Sequence, residues 1–198
     1  MKLIIISITF LSLSLLARGS KHHGPNYKDH IGFYWEDFEK TRIMKGVVGG
    51  KDARNRHTYI GLTKHLEGNK ELLVPGVIYP WDLEPYMVYE WNERPKKIIA
   101  DFKMLYTNYP DHMTWIKTNT SDIRQLVREK ELISAGYDTR HRKYYIGRIP
   151  MNDNLILGKI IISNNGDNDG FFAFSKSGYH HAMEFEVLVH ELKLNSIM

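Results

Sequence analysis

The sequence predicts an all-β fold of antiparallel strands with one short helix, and three observations carry that reading. A string, "GKDARNRHTYIGL" at residues 50–62, returns as "GYDTRHRKYYIGR" at residues 136–148. The segments around both copies are short runs of aromatic and β-branched residues, side chains that fit a pleated, half-buried surface. Turns rich in Gly, Asn and Asp punctuate those runs at strand-like spacing.

The repeat extends beyond the string. Gly50, Asp52, Arg54, Arg56, Tyr59, Ile60 and Gly61 align with Gly136, Asp138, Arg140, Arg142, Tyr145, Ile146 and Gly147 at a constant step of 86 residues. Pro75-Gly76-Val77 then aligns with Leu157-Gly158-Lys159 at a step of 82, so the first copy holds four extra residues in "KHLEGNKELL". "DFKML" from Asp101 aligns with "EFEVL" from Glu184 at a step of 83, and Trp35 and Trp115 each precede a copy. Blocks recurring in one order mark an internal duplication, which governs architecture more than any local propensity. The expected organisation is a first repeat at 33–109 and a second at 110–190, with an arm at 20–32 and a tail at 191–198.

Within each copy, "HTYIGL" and "KYYIGRI" read as strands. "LVPGVIYP" and "LILGKIIIS" each place a Gly inside an apolar run, the sign of a bulge or a close backbone approach. "MVYEW", "FFAFS" and "EFEVLVHEL" are further strands, the last alternating from Phe185 to Val189. "EGNK" (67–70), "MNDN" (151–154) and "NNGDNDG" (164–170) are the turns. "SDIRQLVREKELI" (121–133) breaks the pattern: Ser121 is placed to cap a short helix with Ile123, Leu126 and Val127 on one face.

The N-terminus has its own composition. Lys2, an apolar run from Leu3 to Leu16, and Ala17 and Gly19 before Ser20 read as a secretory signal peptide over residues 1–19. A run of 14 residues is short for a membrane span. The formal charge of +4 includes Lys2 and Arg18, which leaves +2 without that segment. Basic residues alternate with acidic ones, so the composition gives nucleic-acid binding no support. There is no cysteine, hence no disulfide, thiol nucleophile or thiolate metal site in an extracellular chain large enough to rely on its core. No hydrolase signature, phosphate loop or metalloprotease motif is present, so no enzyme and no cofactor are expected. His22 and His23 in the arm read as solvated, and adjacent His180 and His181 point to opposite faces of a strand, which disfavours a shared metal. Asn165, Asp167 and Asp169 imitate a calcium loop, but Lys176 stands at its twelfth position instead of Glu. Asn119-Thr120-Ser121 makes Asn119 a candidate glycan acceptor.

Gly50 and Gly136 are expected at tight turns or positive φ, and Tyr59, Ile60, Tyr145 and Ile146 in the core. Asp52 and Asp138 leave two readings open. Each follows Gly by two residues and precedes two Arg, so it either forms an Asx-turn and ion pair or serves a ligand.

Together these blocks resemble the tandem DM-nine repeat family: Trp, G-x-D, Y-I-G-R, P-G-K and E-x-E-V-L in that order. The resemblance covers about residues 33–190 and is clearest at Gly136, Asp138, Tyr145 to Arg148, Gly158-Lys159 and Glu184 to Leu188. It implies two interlocked antiparallel β repeats about a pseudo-two-fold axis. Its lectin members imply a mannose-type site, carried onto Asp138 and Lys159, where a carboxylate accepts sugar hydroxyls and an ammonium donates to sugar oxygens. Val77 stands at the Lys position of the first copy and Leu62 at the Arg148 position, which leaves Asp52 a weaker or decayed first-repeat site.

The leading expectation is therefore a secreted, lectin-like recognition protein of innate immunity. Its partners are mannose-type glycans or glycoproteins, its assembly a homodimer, and it inserts in no membrane. The alternative is a secreted structural or protein-interaction module whose sugar site has decayed. A membrane-acting reading, taken from natterin-like members, stands third, since no pore-forming domain is expected after Met198.

Overall fold

The computed structural model describes residues 32–140, 142–151, 154–163 and 169–191. The signal segment, His22 and His23 of the arm, and most of the tail lie outside these residues. So do Asn165 and Asp167 of the calcium-like loop and the centre of the "MNDN" turn.

Strands dominate. They are β1 (Phe33–Asp37), β2 (Val48–Lys51), β3 (His57–Glu67), β4 (Lys70–Tyr79), β5 (Tyr86–Trp91), β6 (Arg94–Ile98) and β7 (Phe102–Thr107). Then come β8 (Met113–Asn119), β9 (Glu131–Leu132), β10 (Ser134–Tyr137), β11 (Lys143–Met151), β12 (Asn154–Ile161), β13 (Gly170–Ser175), β14 (Gly178–Ala182) and β15 (Glu184–His190). The pairings are antiparallel throughout the described sheet, whose main path runs β6-β5-β4-β3-β2-β12-β11-β15-β8. No helix among the described residues is long and apolar enough to cross a membrane.

The register duplicates. In β3–β4, Gly61 faces Gly76; in β11–β12, Gly147 faces Gly158. On their other sides, Gly61 faces Met104 of β7 and Gly147 faces Val187 of β15. In turn β7 pairs β1, and β15 pairs β8. These equivalences follow the sequence steps and are compatible with two repeats about a pseudo-two-fold axis.

The two halves cross through their glycines. A Cβ on Gly50 would lie 2.2 Å from the carbonyl oxygen of Leu155, and one on Gly136 would lie 2.0 Å from that of Leu73. Leu73 and Leu155 are themselves equivalent, so each glycine-led loop rests on the other half's β4 or β12 backbone. Gly136 also has φ of +114°, as the turn reading expects. Gly50 does not share the positive φ; close approach alone accounts for it.

The central core is built from the same equivalences. Val47 with Ile133, Ile60 with Ile146, and Leu105 with Leu188 meet in one buried cluster. A second cluster holds Tyr59, Ile78, Met87 and Tyr106, and a third Tyr145, Ile160, Phe171 and Val187. Each fully buried aliphatic or aromatic side chain contributes about 1.5–3 kcal/mol.

The helix α1 spans Ile123–Glu129 and buries Ile123, with Leu126 and Val127 against the third cluster. Its N-cap is Asp122 rather than Ser121, with no side-chain cap bond. Asn119 explains the shift: its Oδ1 accepts the N–H groups of Ser121 and Asp122, turning the chain before the helix begins. The chain then leaves the helix after Glu129, short of the expected 133, because Glu131 and Leu132 pair with β15. In β6, Pro95 faces Glu90 across an edge strand, where a missing N–H is tolerated.

Candidate functional site

The loop after Gly136 is shaped by one carboxylate. Asp138 Oδ1 accepts the N–H groups of Arg140 and Arg142 at 2.9 Å each, and Oδ2 accepts Nε–H of Arg142 at 2.5 Å. Its own N–H donates to the Arg142 carbonyl at 3.1 Å. Asp52 repeats the arrangement with Arg54 and Arg56. The Asx-turn and ion-pair reading of both Asp residues is therefore what the backbone adopts. Three of a carboxylate's roughly four acceptor positions are filled in Asp138, which leaves one for a ligand hydroxyl.

Burial pushes both carboxyls up, but hydrogen bonds from the following Arg outweigh it, and each ends below the ordinary 3.8. The native loops thus bind protons less readily than the unfolded chain. Their stabilisation is complete above pH 3.8 and is lost as pH falls below it toward the native values. Acid titration followed by protease nicking should open both loops in that window; nicking that begins near neutrality would refute the assignment.

Lys159 reaches the same place from β12. It is 5% exposed, and Nζ donates to Oε2 of Glu90 at 2.7 Å and to the Glu90 carbonyl at 3.0 Å. Glu90 Oε1 accepts the N–H of Glu93 at 2.6 Å, closing the β5–β6 turn. The ammonium also lies 5.1 Å from the Tyr144 ring centre and 5.3 Å from that of Trp91, within cation–π range. Burial holds Lys159 below its ordinary 10.5 against the opposing pull of Glu90. One of its three N–H donors has no partner among the described residues.

Asp138 and Lys159, 21 positions apart by sequence, line one cavity of about 510 Å³. Its wall takes in Trp91, Tyr144, Phe172 and Tyr179, and Glu90, Asn92 and Glu93 from the other half of the chain. His181 stacks on Phe172 at 4.6 Å there, while His180 turns to Ser175. A polar, aromatic-lined recess with carboxylate and ammonium convergent in it can orient a small polyhydroxylated ligand.

The equivalent cavity of the first copy, about 230 Å³, is lined by Asp52, Val77, Tyr79, Leu155 and Phe174. Here Val77 replaces Lys159, and Phe174 replaces Glu90: Val77 faces Val88 in β4–β5 as Lys159 faces Phe172 in β12–β13. The buried ion pair of one cavity is thus an apolar pair in the other, with Val77 buried and Phe174 half-buried. Glu90 escapes a reading that compares the copies one motif at a time. Its signal was the Glu in "MVYEW" where "FFAFS" has Phe.

The remaining motif residues lie elsewhere. Arg148 donates to Glu186 at 2.5 Å and stacks 4.2 Å from Trp115, tying β8, β11 and β15 together. Asn119 Nδ2 donates to Asp122 at 2.7 Å, so its amide is already engaged in the helix entry. Asp169 binds Arg124 and accepts the N–H of Ser163.

A duplicated antiparallel β scaffold with a G-x-D loop at the mouth of each cavity is the class that fold and site define. The DM9 repeat family model matches residues 69–168, just over half of the chain, and the chain belongs to that family. Among solved structures, the crystal structure of the nematode sperm cell motility protein MFP2B matches 82% of this chain with a TM-score of 0.52 and 13% identity. The match covers 46% of that longer protein, and at such identity it speaks to the fold alone. No curated protein matches the sequence.

Proposed function

We propose that this chain is a secreted carbohydrate-binding protein without catalysis, recognising mannose-type glycans in defence or glycan surveillance through the 510 Å³ cavity. The observation that supports it is the convergence of Asp138 and Lys159, from a loop and a strand, in one recess. Each keeps one hydrogen-bonding position beyond those its protein partners use. Aromatic faces in the wall suit the apolar face of a pyranose ring, and the two charges suit its hydroxyls. A single cavity holds one sugar weakly, so the reading includes a homodimer that raises avidity.

The second reading, a protein-interaction module, draws on Asp52. That carboxylate braces its loop by the same bonds with Val77 at the position equivalent to Lys159, so G-x-D has a structural use that needs no sugar.

Calorimetric titration with mannose and a mannose-rich oligosaccharide separates the two, using Asp138→Ala beside Asp52→Ala as a matched control. Both variants lose the same loop bonds, but only Asp138 lines the larger cavity. Saturable heat in the parent and Asp52→Ala, lost in Asp138→Ala, is the expected result. Silence in the folded parent, or equal loss in both variants, would leave the interaction module standing.

A further inference from the structure

A third cavity, of about 410 Å³, adjoins the candidate sugar site and shares Arg140 and Arg142 with it. Arg124 and Arg128 of α1 and Lys143 of β11 complete a wall of five cations. Among the described residues, no carboxylate lines it. Arg124 is paired with Asp169 and Arg142 with Asp138. Arg128, Arg140 and Lys143 have no carboxylate partner among the described residues.

The first copy shows how such charge is otherwise neutralised. Arg56, the equivalent of Arg142, meets both Asp52 and Asp82, and His57 stands where Lys143 does. In the second copy, by contrast, several cations face one hollow. Like charges held together repel, and the repulsion is relieved by an anion with several acceptor oxygens. Guanidinium forks match a tetrahedral oxyanion through paired hydrogen bonds. The floor of Tyr145, Val127 and Ile162 is apolar, which limits competing hydration.

We propose that the sugar bound by this protein carries a sulfate or phosphate ester, with the ring in the 510 Å³ cavity and the oxyanion in the 410 Å³ cavity beside it. The inference rests on the sugar-binding reading. Arg140 and Arg142 line both recesses, and the proposal places one ligand across them.

The test titrates the full chain with mannose, mannose 6-sulfate and inorganic sulfate, beside an Arg128→Gln/Lys143→Gln variant. Neither substituted residue lines the sugar cavity. The sulfated sugar should bind about ten-fold tighter than mannose at low salt, with the advantage shrinking as salt screens it. The variant should bring the sulfated sugar back to the affinity of mannose and leave mannose unchanged. Equal affinities in the parent, or an advantage the variant keeps, would overturn the proposal. Inorganic sulfate bound by the parent and released by the variant, with mannose silent, overturns the sugar reading and leaves the oxyanion site standing. Silence toward all three overturns both.

Discussion

Gly136→Ala is expected to lower stability by about 3 kcal/mol or more, the largest effect of any single methyl group in this chain. Two causes act together. The residue sits at φ of +114°, where a Cβ is strained, and that Cβ would lie 2.0 Å from the Leu73 carbonyl oxygen. The obstacle is backbone, so relief requires β4 and the loop to separate. Gly68→Ala is the natural comparison. Its φ is +60°, but nothing lies within 4 Å of the added methyl, so it should cost only about 1 kcal/mol. Urea unfolding of the two variants measures the difference. Equal midpoints would mean that the crossing of the halves does not limit stability.

The second large effect concerns Lys159 and Glu90. Glu90→Gln leaves a buried ammonium without its counter-charge and should cost about 3–5 kcal/mol. Replacing the pair instead, as Glu90→Phe/Lys159→Val, copies the first cavity, where Phe174 and Val77 fill the equivalent places. That double variant should return stability close to the parent, since a well-packed apolar pair replaces a buried ion pair at little cost. It should also abolish ligand binding. The pH dependence gives an independent check. Burial holds Lys159 below 10.5, so the unfolded chain takes its proton more readily. Stability from this group therefore rises with pH through the window from the native value up to 10.5, and the rise should be steeper in Glu90→Gln. A folded double variant that still binds mannose would remove Lys159 from the site.

Much of the scaffold was legible because duplication makes sequence test itself. Tyr59 with Tyr145 and Ile60 with Ile146 fall at one step, and both pairs are buried. What escaped has local physical causes. Asp122 takes the cap position because Asn119 had already bonded both preceding N–H groups, a contact between residues that no spacing rule weighs. Gly50 and Gly136 look identical as letters, yet only one has positive φ; their shared constraint is a backbone from the distant half. Asp138 was legible as a special residue, but its partners Arg140 and Arg142 decide how much of it faces a ligand. Glu90 was hidden because a strand's register, not its composition, sets which residue meets Lys159.

The larger cavity draws Glu90 to Glu93 from before residue 110 and Asp138 to Lys159 from after it. On the proposed reading, recognition is therefore a property of the closed chain and of neither part. Fragments divided between Tyr109 and Pro110 would each lack one side of the recess, and binding would return only when they find each other. Such a split pair would report its own reassembly through its ligand.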